Sequence, residues 1–319
     1  METTDRSCRI REEAARLLAG GIVDLVMGFE QGSLPLRASP CFVTDPGDTG
    51  RLIWNAFCSN NLARYLIRSD RKVGIVAKGC DTRAIVELIK EKQVRREDVV
   101  IIGVPCQGMA DPAKLAGRCG GIRITGVEDS GETLVIAGGS TTVPVAREEV
   151  LHRSCLVCTR RNPVIYDVLA GAEVEERAGD GYRDVSDFGS LPPGERWARI
   201  SDEMSRCIRC YACRNACPLC YCAGCFVDDT RPQWVGRGTE PSDVLSFHLM
   251  RVLHLAGRCV ECGACQRACP MDVDLGTLNR KVSADVARLY GCRPGLDPGE
   301  PSPLSTFDPD DSQDFMLEP

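Results

Sequence analysis

Positive charge is not in excess in this 319-residue chain: 39 basic and 45 acidic side chains leave a net charge of −6. Residues 293–319 set seven acids (Asp297, Glu300, Asp308, Asp310, Asp311, Asp314 and Glu318) against Arg293 alone, so the remaining body is formally neutral. A neutral body removes the electrostatic case for nucleic acid, which needs a basic surface. Long apolar runs are missing too. None approaches the roughly 20 residues that cross a bilayer, and the N-terminal METTDRSCRIREEAARLL is too charged and interrupted for an export signal. No Gly-x-Gly-x-x-Gly follows a strand, which leaves no case for a Rossmann nicotinamide site. Nor does the sequence offer a nucleophile with a base, a paired-carboxylate site or a phosphate loop.

What the chain has in abundance is cysteine, 20 residues of it. A chain without export signals stays where thiols are reduced, so these cysteines read as metal ligands or buried side chains rather than disulfides, and the expected location is the cytoplasm of an organism living with little oxygen. Eight of them fall in two runs of identical form: Cys207, Cys210, Cys213, Cys217 then Pro218, and Cys259, Cys262, Cys265, Cys269 then Pro270. Cys-x-x-Cys-x-x-Cys-x-x-x-Cys-Pro is the bacterial ferredoxin signature, in which three close thiolates hold one cubane and the fourth ligates the other. Two residues between thiolates let one tight turn wrap three corners of a cube. The expected ligand sets are Cys207, Cys210, Cys213 and Cys269 for one 4Fe-4S cluster, and Cys259, Cys262, Cys265 and Cys217 for the second. Zinc also takes Cys-x-x-Cys pairs, but a zinc knuckle uses two ligands, and here four cysteines and a proline recur in the same order.

The N-terminal part reads as α/β. Arg9 to Leu18 has helical composition ended by Gly20-Gly21, Ile22 to Phe29 reads as a strand, and residues 30–58 as loop-rich. Asn60 to Ile67 suits a helix capped by Asn60. Lys72 to Ala77, a helix capped by Asp81 and running to Lys92, and Asp98 to Val104 form a βαβ unit, which implies parallel strands. Cys80 and Cys106 leave these two strands at one edge, where open α/β sheets bind ligands. Weaker strands are expected at 121–125, 133–137 and 142–145, followed by Cys155-x-x-Cys158. The four cysteines admit two readings: a third 4Fe-4S site, or, for Cys80 and Cys106, small buried side chains.

The KGCDTRAI segment at 78–85, the GVPCQG segment at 103–108 and Cys155-x-x-Cys158 together resemble the β-subunit family of coenzyme F420-reducing hydrogenases and F420-linked formate dehydrogenases. The resemblance covers roughly residues 10–170. It implies an α/β domain carrying FAD and a cluster, with Cys80, Cys106, Cys155 and Cys158 as ligands. If a flavin binds, the helix start at Asp81, Thr82 and Arg83 is a candidate for its phosphate, an ordinary capped helix being the plain alternative. Two departures stand out: in that family the ferredoxin part precedes the flavin domain, and here the α/β part is short.

Residues 171–195, polar and glycine-rich with Pro192-Pro193, read as a linker between a domain at 1–170 and one at 196–292. In the second domain, helices are expected at Arg196–Arg206, after Ser242-Asp243 up to Gly257, and from Leu278 to Gly291. The arrangement resembles the α-helical ferredoxins of heterodisulfide reductase small subunits and of the succinate dehydrogenase iron-sulfur subunit. Cys220, Cys222 and Cys225 form a further, weaker metal candidate, with Cys41, Cys58 or Cys292 as a fourth ligand. The acidic, proline-rich residues 293–319 read as an extended tail. The expected function is an electron-relay subunit working with other subunits of a redox complex of the hydrogenase, formate dehydrogenase or heterodisulfide reductase type. The alternative is a flavin-containing reductase that exchanges hydride with coenzyme F420 or another soluble carrier.

Overall fold

The computed structural model describes residues 2–67 and 69–305. Helix α1 (Glu2–Ala19) leads into β1 (Leu25–Gln31), which turns back on itself through the edge strand β2 (Ala38–Val43). Then come β3 (Val73–Ala77), α2 (Gly79–Lys90) and β4 (Val99–Gly103). Together with the short β8 (Val168–Leu169) these strands form a sheet in the order β2-β1-β3-β4-β8, parallel except for β2. Every residue of β3 is buried, as a continuous Val-Gly-Ile-Val-Ala run in a sheet covered on both faces requires.

Between β4 and β8 the chain makes α3 (Pro112–Arg118), an antiparallel meander of β5 (Gly126–Asp129), β6 (Thr133–Gly138) and β7 (Thr141–Ala146), and the single turns α4 (Arg147–Val150) and α5 (Arg153–Leu156). Burial alternates along β6, so Leu134 and Ile136 pack with Leu115, Val145 and Val150 into a small core of their own.

The remainder is helical: α6 (Arg183–Gly189), α7 (Pro193–Ser205), α8 (Ala212–Ala216), α9 (Pro241–His254), α10 (Ala264–Arg267) and α11 (Leu275–Tyr290), the last closed by Gly291 in the left-handed region. Here α8 packs on α10 and α7 on α9, pairing equivalent pieces of the two cysteine runs. Met204, Val227, Val244, Phe247, Val273 and Leu275 form the core around the first run. Leu219, Leu255 and Val260, beside the second run, belong instead to the core of the parallel sheet. The helical part is therefore not a separately packed bead on a string.

Several expectations need correction. Asn60–Ile67 holds only a 3-10 turn at Leu62–Tyr65, capped by Asn61, whose Oδ1 accepts from Ala63 N at 3.1 Å. Helix α2 starts at Gly79, and Asp81 is its third residue, reaching back to accept from Lys78 N at 3.1 Å. The strand expected at 121–125 begins at Gly126. Segment 171–195 is no free linker, since it contains α6 and part of α7, and Tyr182 and Val185 are buried. The stretch expected to start an extended tail docks on α2: Arg83 donates to Pro294 O at 2.9 and 3.1 Å, and Gly295 N donates to Glu87 Oε1 at 2.6 Å. The acidic segment from 306 onward lies outside the described residues.

Candidate iron-sulfur sites and the adjoining cavity

The two runs fold alike. Arg209 (φ 53°) and Tyr211 (φ 60°) in the first, and Glu261 (φ 57°) and Gly263 (φ 69°) in the second, take the left-handed conformation at equivalent positions. For the three non-glycine residues this costs on the order of 1 kcal/mol or more each. Such a repeated cost implies a purpose, which is to curl each run so that its first three thiols face one point. Gly263 has a second reason to be glycine: a Cβ there would sit 2.3 Å from Ser154 Oγ, so it permits close approach to α5.

Cys207, Cys210, Cys213 and Cys269 line one small cavity, closed by Phe247, His248, Val273 and Leu275. Backbone N–H groups aim at sulfur, Arg209 N at 3.4 Å from Cys207 Sγ and Val273 N at 3.4 Å from Cys269 Sγ. His248 Nε2 lies 3.3 Å from Cys207 Sγ. Burial first, then Arg251 and Arg209, push this imidazole down to about 4, so it is neutral near pH 7. At the second site Cys217 lies among the charges acting on Cys259 and Cys262, alongside Cys265. Burial pushes Cys262 up to about 11, against the pull of Arg267. Asn279 Nδ2 approaches Cys265 Sγ at 3.9 Å. Thus the thiols expected for each cube come together, with the fourth supplied by the opposite run. The sequence reading missed His248 and Arg251, one helical turn apart on α9, and it grouped Cys220 with Cys222 and Cys225, whereas Cys220 hydrogen-bonds Cys217; that bond brings Cys220 down to about 7. Periodicity marks His248 and Arg251 only as residues of an amphipathic helix.

The remaining expected set is assembled by topology. Cys80 sits in the first turn of α2, Cys106 in the loop after β4, Cys155 in α5 and Cys158 just beyond, and all four line one cavity. Gly108 N approaches Cys106 Sγ at 3.3 Å and Met109 N approaches Cys155 Sγ at 3.5 Å. A Cβ on Gly79 would fall 2.5 Å from Arg160 O, so glycine there brings α2 against the Cys158 loop. Burial pushes the Cys106 thiol up to about 12. Lys78, 2% exposed, contacts the same cavity and is held charged by Asp81, with Nζ 2.9 Å from Oδ2.

Three features link the sites. Cys262 of the second run also lines the Cys80 cavity. Ser59 and Arg267 line both that cavity and a much larger one of about 740 Å³. Arg267 holds this junction, donating to Cys262 O at 2.8 Å and Ser59 O at 2.7 Å. Arg37, Arg64, Asn60, Asn61, His152, Tyr65 and Tyr221 contribute to the large cavity, and no carboxylate is among the described residues that line it. Its volume falls in the range of cofactor pockets.

Asp81, Thr82 and Arg83 lie elsewhere. Asp81 pairs with Lys78, Thr82 Oγ1 donates to Gly79 O at 2.9 Å and accepts from Val164 N at 3.0 Å, and Arg83 is taken up by Pro294 and Val260 carbonyls. The helix start expected to receive a flavin phosphate is filled by protein. Cys220, Cys222 and Cys225 line another cavity with Arg251 and His254, which shares Arg64, Asn215, Cys222 and Ala223 with the large one, and Cys41, Cys58 and Cys292 do not line it. Among the described residues no three His, Cys, Asp or Glu converge as a single ion needs. A cubane differs, because each thiolate binds its own iron.

A family model described as a 4Fe-4S dicluster domain matches residues 203–273. The F420-dependent formate dehydrogenase subunit beta of Methanocaldococcus jannaschii is 25% identical over 346 aligned positions, covering 88% of this chain and 89% of that protein. The F420-dependent formate dehydrogenase 1 subunit beta of Methanococcus maripaludis is 26% identical, covering 90% of each. Among solved structures, a chain of the F420-reducing NiFe hydrogenase complex from Methanosarcina barkeri matches with 13% identity and a TM-score of 0.37, over 49% of this chain and 58% of that one. Along about nine-tenths of its length the chain is thus similar to the β subunits of F420-dependent formate dehydrogenases, and it contains a 4Fe-4S dicluster domain.

Proposed function

We propose that this protein is the electron-relay subunit of a multi-subunit oxidoreductase, with three cubane sites leading from its surface to the large cavity. When bound, 4Fe-4S clusters take up and release single electrons. The observation that carries the reading is the sharing of walls: Cys262 belongs to the second set and lines the cavity of the third, and Arg267 and Ser59 border both the third and the large cavity. At the other end, Cys210 is exposed, and Ile208 and Met271, which line the first site, are 52% and 39% exposed. An apolar rim around an exposed ligand suits docking of a partner subunit there. Backbone N–H groups point at the sulfurs of Cys106, Cys155, Cys207 and Cys269, the atoms that would bind iron.

The large cavity favours a second element of the reading. Three arginines, three asparagines and, among the described residues, no carboxylate suit a bulky anionic cofactor such as FAD. A bound flavin would supply exchange of a hydride for single electrons, with coenzyme F420, on which the formate dehydrogenases of the relatives depend by name, as the proposed hydride carrier. Arg37, Arg64 and Arg267 would hold its phosphates, and Tyr65 and Tyr221 offer faces for a ring.

Iron, acid-labile sulfide and flavin per chain, measured on protein purified without oxygen, test both elements. About twelve irons, four per cubane, with one flavin are expected. About eight irons and no flavin would reduce the protein to a dicluster relay, and zinc without labile sulfide would overturn the reading.

A further inference from the structure

Among the described residues, no carboxylate pairs with the buried charge of Arg251. This arginine stands on α9 and is 4% exposed. Its Nη2 donates to Cys213 O at 3.1 Å, while Nε and Nη1 are buried with no hydrogen-bond partner. Burial disfavours its charge, and the largest opposing groups are thiols: Cys265, Cys217, Cys220 and Cys213. Cys213 belongs to the first set, and Cys217 and Cys265 to the second. An unpaired buried guanidinium costs several kcal/mol unless negative charge compensates it. The two sets supply that compensation once their thiolates and clusters are in place, so the residue makes energetic sense only between two anionic centres.

We propose that Arg251 is the electrostatic link between the first and second sites, a fixed positive charge that raises the reduction potential of both. The inference rests on reading the eight ferredoxin cysteines as two cubane sites. Reduction adds one electron and therefore one negative charge to a centre. A guanidinium beside it, in a medium of low dielectric, stabilises the reduced form more than the oxidised one. Arginine stays protonated throughout, so no proton accompanies the electron on its account. Its place between the sites lets one residue tune both.

The test is an EPR-monitored redox titration of the full chain, loaded with iron and sulfide, comparing native, Arg251→Gln and Arg251→Lys proteins. In Arg251→Gln both dicluster potentials should fall by at least 59 mV, the equivalent of tenfold in a one-electron equilibrium. Arg251→Lys keeps the charge and should stay within half that shift. The centre at Cys80, Cys106, Cys155 and Cys158, whose thiols are not among the largest charges acting on Arg251, serves as the internal reference and should move least. Unchanged potentials in an iron-replete Arg251→Gln protein overturn the proposal. Should Arg251→Gln lose iron, Arg251→Lys decides: native potentials support the charge role, and a full-sized shift or loss of the centres overturns it. Absence of the eight irons from the native protein would instead sink the earlier reading of the sites.

Discussion

The dicluster sites and the Cys80 site solve one chemical problem by opposite routes. In the runs starting at Cys207 and Cys259, six of eight thiols are positioned by local conformation, two left-handed residues per run doing the work. At the other site Cys80, Cys106 and the Cys155–Cys158 pair come from a helix start, a strand end and a loop, and only the parallel sheet brings them to one cavity. The first kind depends on spacing, the second on the integrity of a domain. Damage should therefore spread differently from each.

The largest effect is expected from removing ligands. Cys106→Ser should cost about four irons and leave the dicluster signals intact, whereas Cys269→Ser should empty the first site despite three remaining cysteines nearby in sequence. Iron analysis with EPR of the reduced protein checks both, and loss of the same EPR signals in the two variants would erase the distinction between the sites. A smaller effect should follow from Arg83→Ala. This residue ties α2 to Val260 and Pro294 through three hydrogen bonds of 2.9 to 3.1 Å. Leaving those carbonyls buried should cost about 3 kcal/mol and lower the anaerobic melting temperature by several degrees. A Tm within a degree of native would mean that the two parts hold together without this residue.

How much of this was legible in the sequence follows the same division. The cubane spacing, the βαβ unit and the helices on either side of each run could be read directly, because each depends on residues a few positions apart. Cys80 and Cys106 could be placed at one sheet edge, but their company with Cys262 depended on how two parts pack. The turn at Leu62–Tyr65 fell short of a helix, and Asp81 turned out to be the third helical residue, because the buried Lys78 ammonium claims its carboxylate. Residues 171–195 looked like a linker by composition. Their polar groups are instead engaged, with Asp184 on Arg280 at 2.7 Å and Glu176 on Asn162 at 3.1 Å.

Two finer measurements would sharpen the contrast. Burial first, then Arg267, lower His152 to about 4 against the pull of Asp111, 3.5 Å away. Below its unfolded value near 6.5 the unfolded chain binds a proton that the folded one refuses, so the stability present above about pH 6.5 is lost as pH falls toward 4. Denaturant melts at pH 7 and pH 5 should differ by up to about 2 kcal/mol from this group, and His152→Gln should remove that component; an unchanged pH slope would count against it. Last and smallest, burial pushes Cys58 up to about 12, while Cys8 is exposed on α1. Iodoacetamide at pH 8 should label Cys8 and spare Cys58 until unfolding, as read by mass spectrometry; labelling at similar rates would refute the burial argument.

The exchange of fourth ligands between the runs also sets a timetable for biosynthesis. Cys269 lies 62 residues after Cys207, and at roughly 5 to 20 residues per second its translation trails by about 3 to 12 s. On the proposed assignment the first cube cannot be completed in that interval. Three thiols would wait, open to oxidation, for the last one, and α2 would wait longer still for Pro294 and Gly295 to reach it. A ribosome that stalls between Cys217 and Cys259 would leave a chain with every thiol of the first run in hand and neither dicluster site closed.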